Sequence, residues 1–536
     1  MKQKELTIIS IKDDIVVVEG EHSYQFLEEI KFDKEVNGIV IKANYYKAYV
    51  ALVNKGTREV IKVGGKAFPT GKMFSITILN NFFGSVIDVN ANLLIEGNEV
   101  DLIKILGQRS VLTEAKPLYS RKEVNQPFLT GTVAIDGLLP IGKGQKELIV
   151  GDAVTGKTSI AITAMIAQKH SNVVNIYVAI GKKREELIEI KNVLQNNNVL
   201  EKTIIIATAP DDSAASKFLA PYVGTTIAEY LQEQGEDVFV VFDDLTNHAD
   251  AYRELSLSTG SAPGREAFPG DIFYIHSRLL EKSGRYQPEF GGGSITMIPI
   301  VQTLDGDISG YIPTNIISIT DGQIYTSTSI FNEGRRPAIE ISISVSRLGS
   351  QVQFHSMKQA SLGLKNLVSE YENYKKFSSF NSSSSSDQNR SLVVKGKVFE
   401  TLIQQDEYEV VPAGASALLL LLLQKEYLTM FFVEAIEKNV ESLILVKDVI
   451  KNFLTKDVLD RKMLQIIDDK GLETEVVDLY LKHLILPLIK YYLLSENKWL
   501  RKNPDFIRIF KDVRNDGRVL LAYERRHLEK GIAYEI

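Results

Sequence analysis

The spacing of apolar and polar positions changes character twice along this chain. In residues 1–83 it follows the strand period. Asp14-Ile-Val-Val-Val18, Gly38-Ile-Val-Ile-Lys42 and Ala48-Tyr-Val-Ala-Leu-Val53 are β-rich, with turns between them. Short strands at regular spacing predict a small barrel or sandwich. From 84 to 353, continuous apolar runs alternate with helical stretches. Ile176-Tyr-Val-Ala-Ile180, Thr203-Ile-Ile-Ile206 and Val238-Phe-Val-Val-Phe242 are runs of the kind buried on both faces of a parallel sheet. This part is expected to be an α/β domain. From 354 to 536 the period is helical. It is broken at Phe377–Ser386, where five consecutive serines cannot pack a core and predict a flexible loop. The apolar run Leu418–Leu423 is far shorter than the ~20 residues of a membrane-spanning helix and predicts a buried one.

Composition narrows the chemistry. The 536 residues are 44% hydrophobic and 24% charged, enough for large cores. A net charge of −6 argues against general nucleic-acid binding. With no cysteine, disulfides, thiolate catalysis and cysteine metal sites are excluded.

The most specific motif is Gly151-Asp-Ala-Val-Thr-Gly-Lys-Thr158. A strand-like run, Glu147–Val150, precedes it, and a helical one, Ser159–Gln168, follows. In that context the pattern is a phosphate-binding P-loop. Gly151 and Gly156 let the backbone come close to an anion, and the helix N-terminus turns N–H groups toward it. Asp152, Thr155 and Ser159 complete the candidate nucleotide contacts. Lys157 supplies a cation for the β/γ-phosphates, and the Thr158 hydroxyl can ligate Mg²⁺.

A second motif is the apolar strand Val238–Phe242 ending in Asp243-Asp244. Asp243 takes the Mg²⁺ role, and Asp244 the following turn or helix cap. A P-loop ATPase also needs a group to position the attacking water. It can come from the strand next to the P-loop strand, expected here to end in Val178-Ala-Ile-Gly-Lys182. An ammonium with an ordinary pKa of about 10.4 is no base at neutral pH. The plainer reading is a solvated basic turn, and in either case the carboxylate is missing. Glu185 and Glu186 fit the first turn of the next helix.

These residues resemble the α subunit of F1-type ATP synthases. The resemblance runs from Thr130 through the P-loop to Thr158. It continues in Phe242-Asp-Asp-Leu245, Ala251-Tyr-Arg-Glu-Leu-Ser256, Pro263–Glu281 and Gly310–Ile324. It is dense from Gln126 to Gly349, weaker before, and fades after about residue 450. It implies an N-terminal β-barrel, a central P-loop nucleotide-binding domain and a C-terminal helical domain. It also implies ATP or ADP and Mg²⁺ as ligands. The implied partners are catalytic β-type subunits in an alternating hexamer, a central rotor shaft and a membrane complex of uncertain type. The implied place is the cytoplasmic face of the cell membrane. Family α subunits bind nucleotide without turning it over readily. Lys182 stands where catalytic subunits carry glutamate and ordinary α subunits glutamine. Arg347, in Ile343-Ser-Val-Ser-Arg-Leu-Gly349, matches an arginine that reaches the neighbour's γ-phosphate, with Val345 and Ser346 beside it. Gln405 matches a glutamine near the adenine.

Departures from the family are equally specific. Ala153 and Val154 replace polar residues of the P-loop. Glu340 and Glu407 replace other usual residues, and Ser258–Ala262 replaces an arginine- and proline-rich stretch. The N-terminal docking segment is nearly missing, and the apolar C-terminal tail around Tyr480–Leu494 is longer than expected. The Lys-, Asn- and Ile-rich composition resembles that of wall-less bacteria, some of which carry divergent F1-like ATPases. Two other classes share the core: a secretion-type ring ATPase hydrolysing at its own P-loop, and a hexameric RNA translocase. Lys182 argues against the first. The charge balance, with no clear RNA-contacting loops, argues against the second.

Overall fold

A computed structural model describes residues 5–32, 36–54, 60–95, 97, 103–378 and 387–424. The chain divides into two compact units, residues 1–126 with 142–329, and residues 127–141 with 330–536.

The first unit opens with β1 (Leu6–Lys12), β2 (Ile15–Glu19), β3 (Glu28–Phe32), β4 (Asn37–Ala43), β5 (Lys47–Leu52) and β6 (Lys66–Met73). They form a closed barrel in the order β1-β2-β5-β4-β3-β6. Neighbours are antiparallel, with bulges in β1, β4 and β6 that bend the strands toward closure. Inward positions hold Ile8, Val16, Val18, Ile30, Val40, Val50 and Leu52, which fill the lumen. The barrel alternative of the sequence reading is the one adopted.

The α/β layer is built on β7 (Leu148–Gly151), β8 (Val174–Ala179), β9 (Thr203–Ala207), β10 (Asp237–Asp243), β11 (Ser294–Gln302) and β12 (Gly322–Thr326). All pair in parallel, in the order β12-β7-β11-β10-β8-β9. Every residue of β7, β8 and β9 is buried, as the unbroken apolar runs required. The helices that matter for the site are α1 (Lys157–Ala167), α2 (Arg184–Asn196), α3 (Ala214–Glu233) and α4 (Leu245–Ser258). On one face α3 and α4 meet through Phe218, which stacks on Tyr252 at 5.0 Å and on His248 at 5.2 Å between ring centroids.

One expectation fails. The strand that leads to Lys182 is β8, and it is not the neighbour of the P-loop strand β7. Both β11 and β10 stand between them. What places Lys182 is instead the pairing of β8 with β10, which sets Ala179 opposite Asp243.

The second unit is helical in its described part. It contains a short helix, Val133–Leu138, then α5 (His355–Ala360), α6 (Leu364–Ser378), α7 (Asp387–Leu402) and α8 (Ala413–Gln424). Leu418 to Leu421, the first four of the leucine run, are buried within α8. No described helix is long and apolar enough to cross a membrane. The serine run Ser382–Ser386 and the tail around Tyr480–Leu494 lie outside the described residues.

Candidate nucleotide-binding site

The loop between β7 and α1 is set by its glycines. Gly156 is the N-cap of α1 at φ +87°, in the left-handed region, and a Cβ there would meet nothing within 4 Å. Glycine is therefore required by conformation, and the space above it is open. The helix begins without a side-chain cap, which leaves its first turn to a ligand anion. Gly151 is constrained differently. A Cβ there would stand 2.2 Å from Thr326 Oγ1 and 2.3 Å from the Thr326 carbonyl oxygen. The neighbouring strand β12 demands this glycine.

The loop is braced on its own polar groups. The Thr155 hydroxyl donates to the Asp152 carbonyl at 2.8 Å and pairs with the Thr326 hydroxyl at 2.7 Å. The Asp152 carboxylate accepts from Thr303 Oγ1 (2.6 Å), the Gly306 N–H (2.8 Å) and Thr328 Oγ1 (2.9 Å). Burial pushes the Asp152 pKa up, but these bonds and the Lys157 charge outweigh it and hold the carboxyl below its ordinary value. Val154 sits at φ +61° and is 82% exposed. A β-branched residue in that region is strained, and its side chain faces solvent. Ser159 lies in the first turn of α1.

Lys157 is buried and donates to the Asp152 carbonyl. Desolvation pulls its pKa down to about 8, opposed by the carboxylates of Asp244 and Asp243. A bound polyanion would hold this ammonium charged. The Thr158 hydroxyl donates to Asp243 Oδ2 at 2.7 Å. The proposed pair of metal-binding residues is thus brought together. Hydroxyl and carboxylate oxygens are the hard donors that Mg²⁺ prefers, with the rest of its shell from phosphate and water. Among the described residues no group of three or more acidic or imidazole side chains could hold a metal unaided. The residues fit a metal that arrives with a nucleotide.

Two further partners of Asp243 were missed in the sequence. The fully buried Tyr177 donates its hydroxyl to the same Oδ2 at 2.7 Å, and burial raises its pKa well above the usual phenol value. Its only sequence signal is a polar hydroxyl within an apolar strand. On the other side, Lys182 Nζ lies 3.0 Å from Asp243 Oδ1 and 3.9 Å from Glu186 Oε2. Burial works against the Lys182 charge, but Asp243, Asp244 and Glu186 outweigh it and raise its pKa. The solvated-turn reading is therefore wrong. The Lys182 N–H donates to the Thr208 carbonyl at 3.0 Å, so the turn is fixed. Asp244 is the N-cap of α4, accepting from the Asn247 N–H at 2.8 Å, as expected. Burial, with Asp243 beside it, pushes its pKa to about 6.

The remaining candidates belong to the helical unit. Gln405 is buried, and its amide serves backbone. Oε1 accepts from the Val133 N–H at 2.7 Å, and Nε2 donates to the carbonyls of Gly131 (2.8 Å) and Glu409 (3.0 Å). Arg347 is exposed. Ser346 before it is anchored, donating to the Pro140 carbonyl at 2.6 Å.

Comparison with known proteins follows this geometry. The family described as "ATP synthase alpha/beta family, nucleotide-binding domain" matches residues 131–346. "ATP synthase alpha/beta chain, C terminal domain" matches residues 353–477, past the point near 450 where the resemblance was expected to fade. The chain is 42% identical to an ATP synthase subunit alpha of Mycoplasmopsis synoviae over 77% of each chain. It is 37% identical to one of Carsonella ruddii, over 89% of this chain and 99% of that one. With that of Clostridium botulinum it shares 38% identity over 88% of this chain and 92% of the other.

Proposed function

From the premise that this chain belongs to the ATP synthase alpha/beta family, as an F1 alpha subunit, we propose that it holds ATP or ADP at its P-loop without hydrolysing it and serves catalysis next door. The observation that carries the first half is Lys182. Lys182 stands where the resemblance puts the carboxylate that orients an attacking water, and its ammonium lies 3.0 Å from Oδ1 of the metal-binding aspartate. A permanently protonated group cannot take a proton from water. Lys157 and the first turn of α1 bind phosphate oxygens. Thr158 and Asp243 are the residues that would hold Mg²⁺, which when bound would screen the charge of those oxygens.

The second half concerns Arg347. In this reading its guanidinium meets the triphosphate bound by an adjacent catalytic β-type subunit and neutralises charge that grows on the transferring phosphoryl group. The ring alternates the two subunit types around a rotating shaft and sits peripherally on the cytoplasmic face of a membrane complex. Purified alone, the chain should bind ATP with no sustained turnover. Robust turnover abolished by Lys157→Ala would instead identify a self-sufficient ring ATPase. In the assembled complex, Arg347→Ala should slow hydrolysis by about 10³-fold or more while nucleotide binding to this chain is unchanged. Equal activity of the two assemblies rules the role out.

A further inference from the structure

We propose that Ser346 and Gln353 are positioning residues. They tie the turn that carries Arg347 to the short helix Val133–Leu138 and to Pro140 just after it, and so aim the guanidinium at the neighbour's triphosphate. The inference rests on the reading of Arg347 as the group that meets that triphosphate, and it names what holds Arg347 in line.

Arg347 is a long side chain on an exposed turn. A charge at the end of such a side chain is only as well placed as the backbone beneath it. Ser346 shapes that backbone. Its hydroxyl accepts from the Gly349 N–H at 3.3 Å, which closes the turn over Arg347, and donates to the Pro140 carbonyl at 2.6 Å, which ties the turn down. Gly349 lies at φ +54°, a conformation that glycine adopts without steric cost. On the other side, Gln353 uses both amide protons. Nε2 donates to the carbonyls of Asp136 and Gly137, each at 2.9 Å. These carbonyls lie in the last turn of the short helix, where the helix itself supplies no N–H. Val352, beside Gln353, is fully buried. Arg347 therefore projects from a segment fixed on both sides of it.

The support is itself held. The buried Asp136 carboxylate accepts from the Thr130 N–H and hydroxyl, each at 2.8 Å, and from the Gly131 N–H at 3.0 Å. Gln405 accepts from the Val133 N–H at the start of the helix and donates to the Gly131 carbonyl. Two buried side chains thus fix the N-terminal end of the helix, and Gln353 holds its C-terminal end. A displacement of about 1 Å in a group that acts on a transition state can cost about 10²-fold in rate. If the anchors served the fold alone, losing one would cost the same with or without Arg347. If they aim the guanidinium, the cost depends on Arg347 being present.

Steady-state ATP hydrolysis by the assembled complex tests this with Ser346→Ala, Gln353→Met and Arg347→Ala, singly and combined. Ser346→Ala and Gln353→Met should each lower kcat by about tenfold or more. KM should stay within about twofold of the parent value, because the guanidinium acts on the transition state and not on ground-state binding. Ser346→Thr, which keeps the hydroxyl, should stay within about threefold of the parent kcat. In the Arg347→Ala background either anchor change should cost less than about twofold, since nothing is left to aim. Equal losses in the two backgrounds overturn the inference, and so does a parent-like kcat in Ser346→Ala or Gln353→Met. An Arg347→Ala complex as fast as the parent overturns the reading of Arg347 itself, which is a separate result. Gln353→Met keeps the length of the side chain and carries the comparison alone if Ser346→Ala does not assemble.

Discussion

Tyr177→Phe isolates one contact of the aspartate at the centre of the site. The change removes a hydroxyl that donates to Asp243 Oδ2 at 2.7 Å and leaves the ring in place, so little cavity is created. A hydrogen bond to a charged partner contributes about 1.5–3 kcal/mol. Tyr177 is fully buried, so water cannot replace the lost donor. Thr158 and Lys182 remain on the carboxylate and soften the loss. The expected cost is about 2 kcal/mol. A chain of several domains does not unfold in one step, so global melting would blur this number. Hydrogen exchange reads it locally. Protection of amides at the C-terminal ends of β8 and β10 should fall by about 30-fold, the equivalent of ~2 kcal/mol. Protection in the barrel should not change. If amides around Asp243 keep parent protection in Tyr177→Phe, the hydroxyl does not hold the aspartate, and the reasoning is refuted.

Other expectations concern the loop. Gly151→Ala places a Cβ 2.2 Å from Thr326 Oγ1. It should cost about 1–3 kcal/mol through overpacking, seen as a lower calorimetric midpoint for the P-loop unit; an unchanged midpoint would show that β12 yields freely. Asp152→Asn should destabilise the chain near neutral pH. Because the Asp152 pKa is depressed in the fold, its contribution is present above the ordinary carboxyl value of about 3.9 and fades as pH falls through the lower folded value. The stability gap between parent and Asp152→Asn in a pH series of denaturant unfolding should therefore narrow in acid, and a pH-independent gap would count against it.

The parts legible in the sequence were those written in neighbouring residues. The P-loop, the apolar strand before Asp243 and the cap at Asp244 each fit within a few consecutive positions. What escaped depends on strand order and register. The Lys182–Asp243 ion pair joins residues far apart in sequence, and it exists because β8 pairs with β10 rather than with β7. The same holds for Tyr177, which looked like one more strand residue, and for Asp152, whose partners Thr303, Gly306 and Thr328 come from distant loops. The real constraint on Gly151 also lies outside its motif, in Thr326. Barrel and sandwich have the same local period, so only pairing across the sheet could separate them.

The closed barrel has a bearing on assembly. A sheet whose first and last strands bond to each other exposes no row of unsatisfied amides along a flank. Other copies or partners cannot lengthen it by strand addition, the usual route to open-ended fibres. Any association through this part of the molecule has to be made by side chains and loop tips. Such contacts can be matched to one partner and not another.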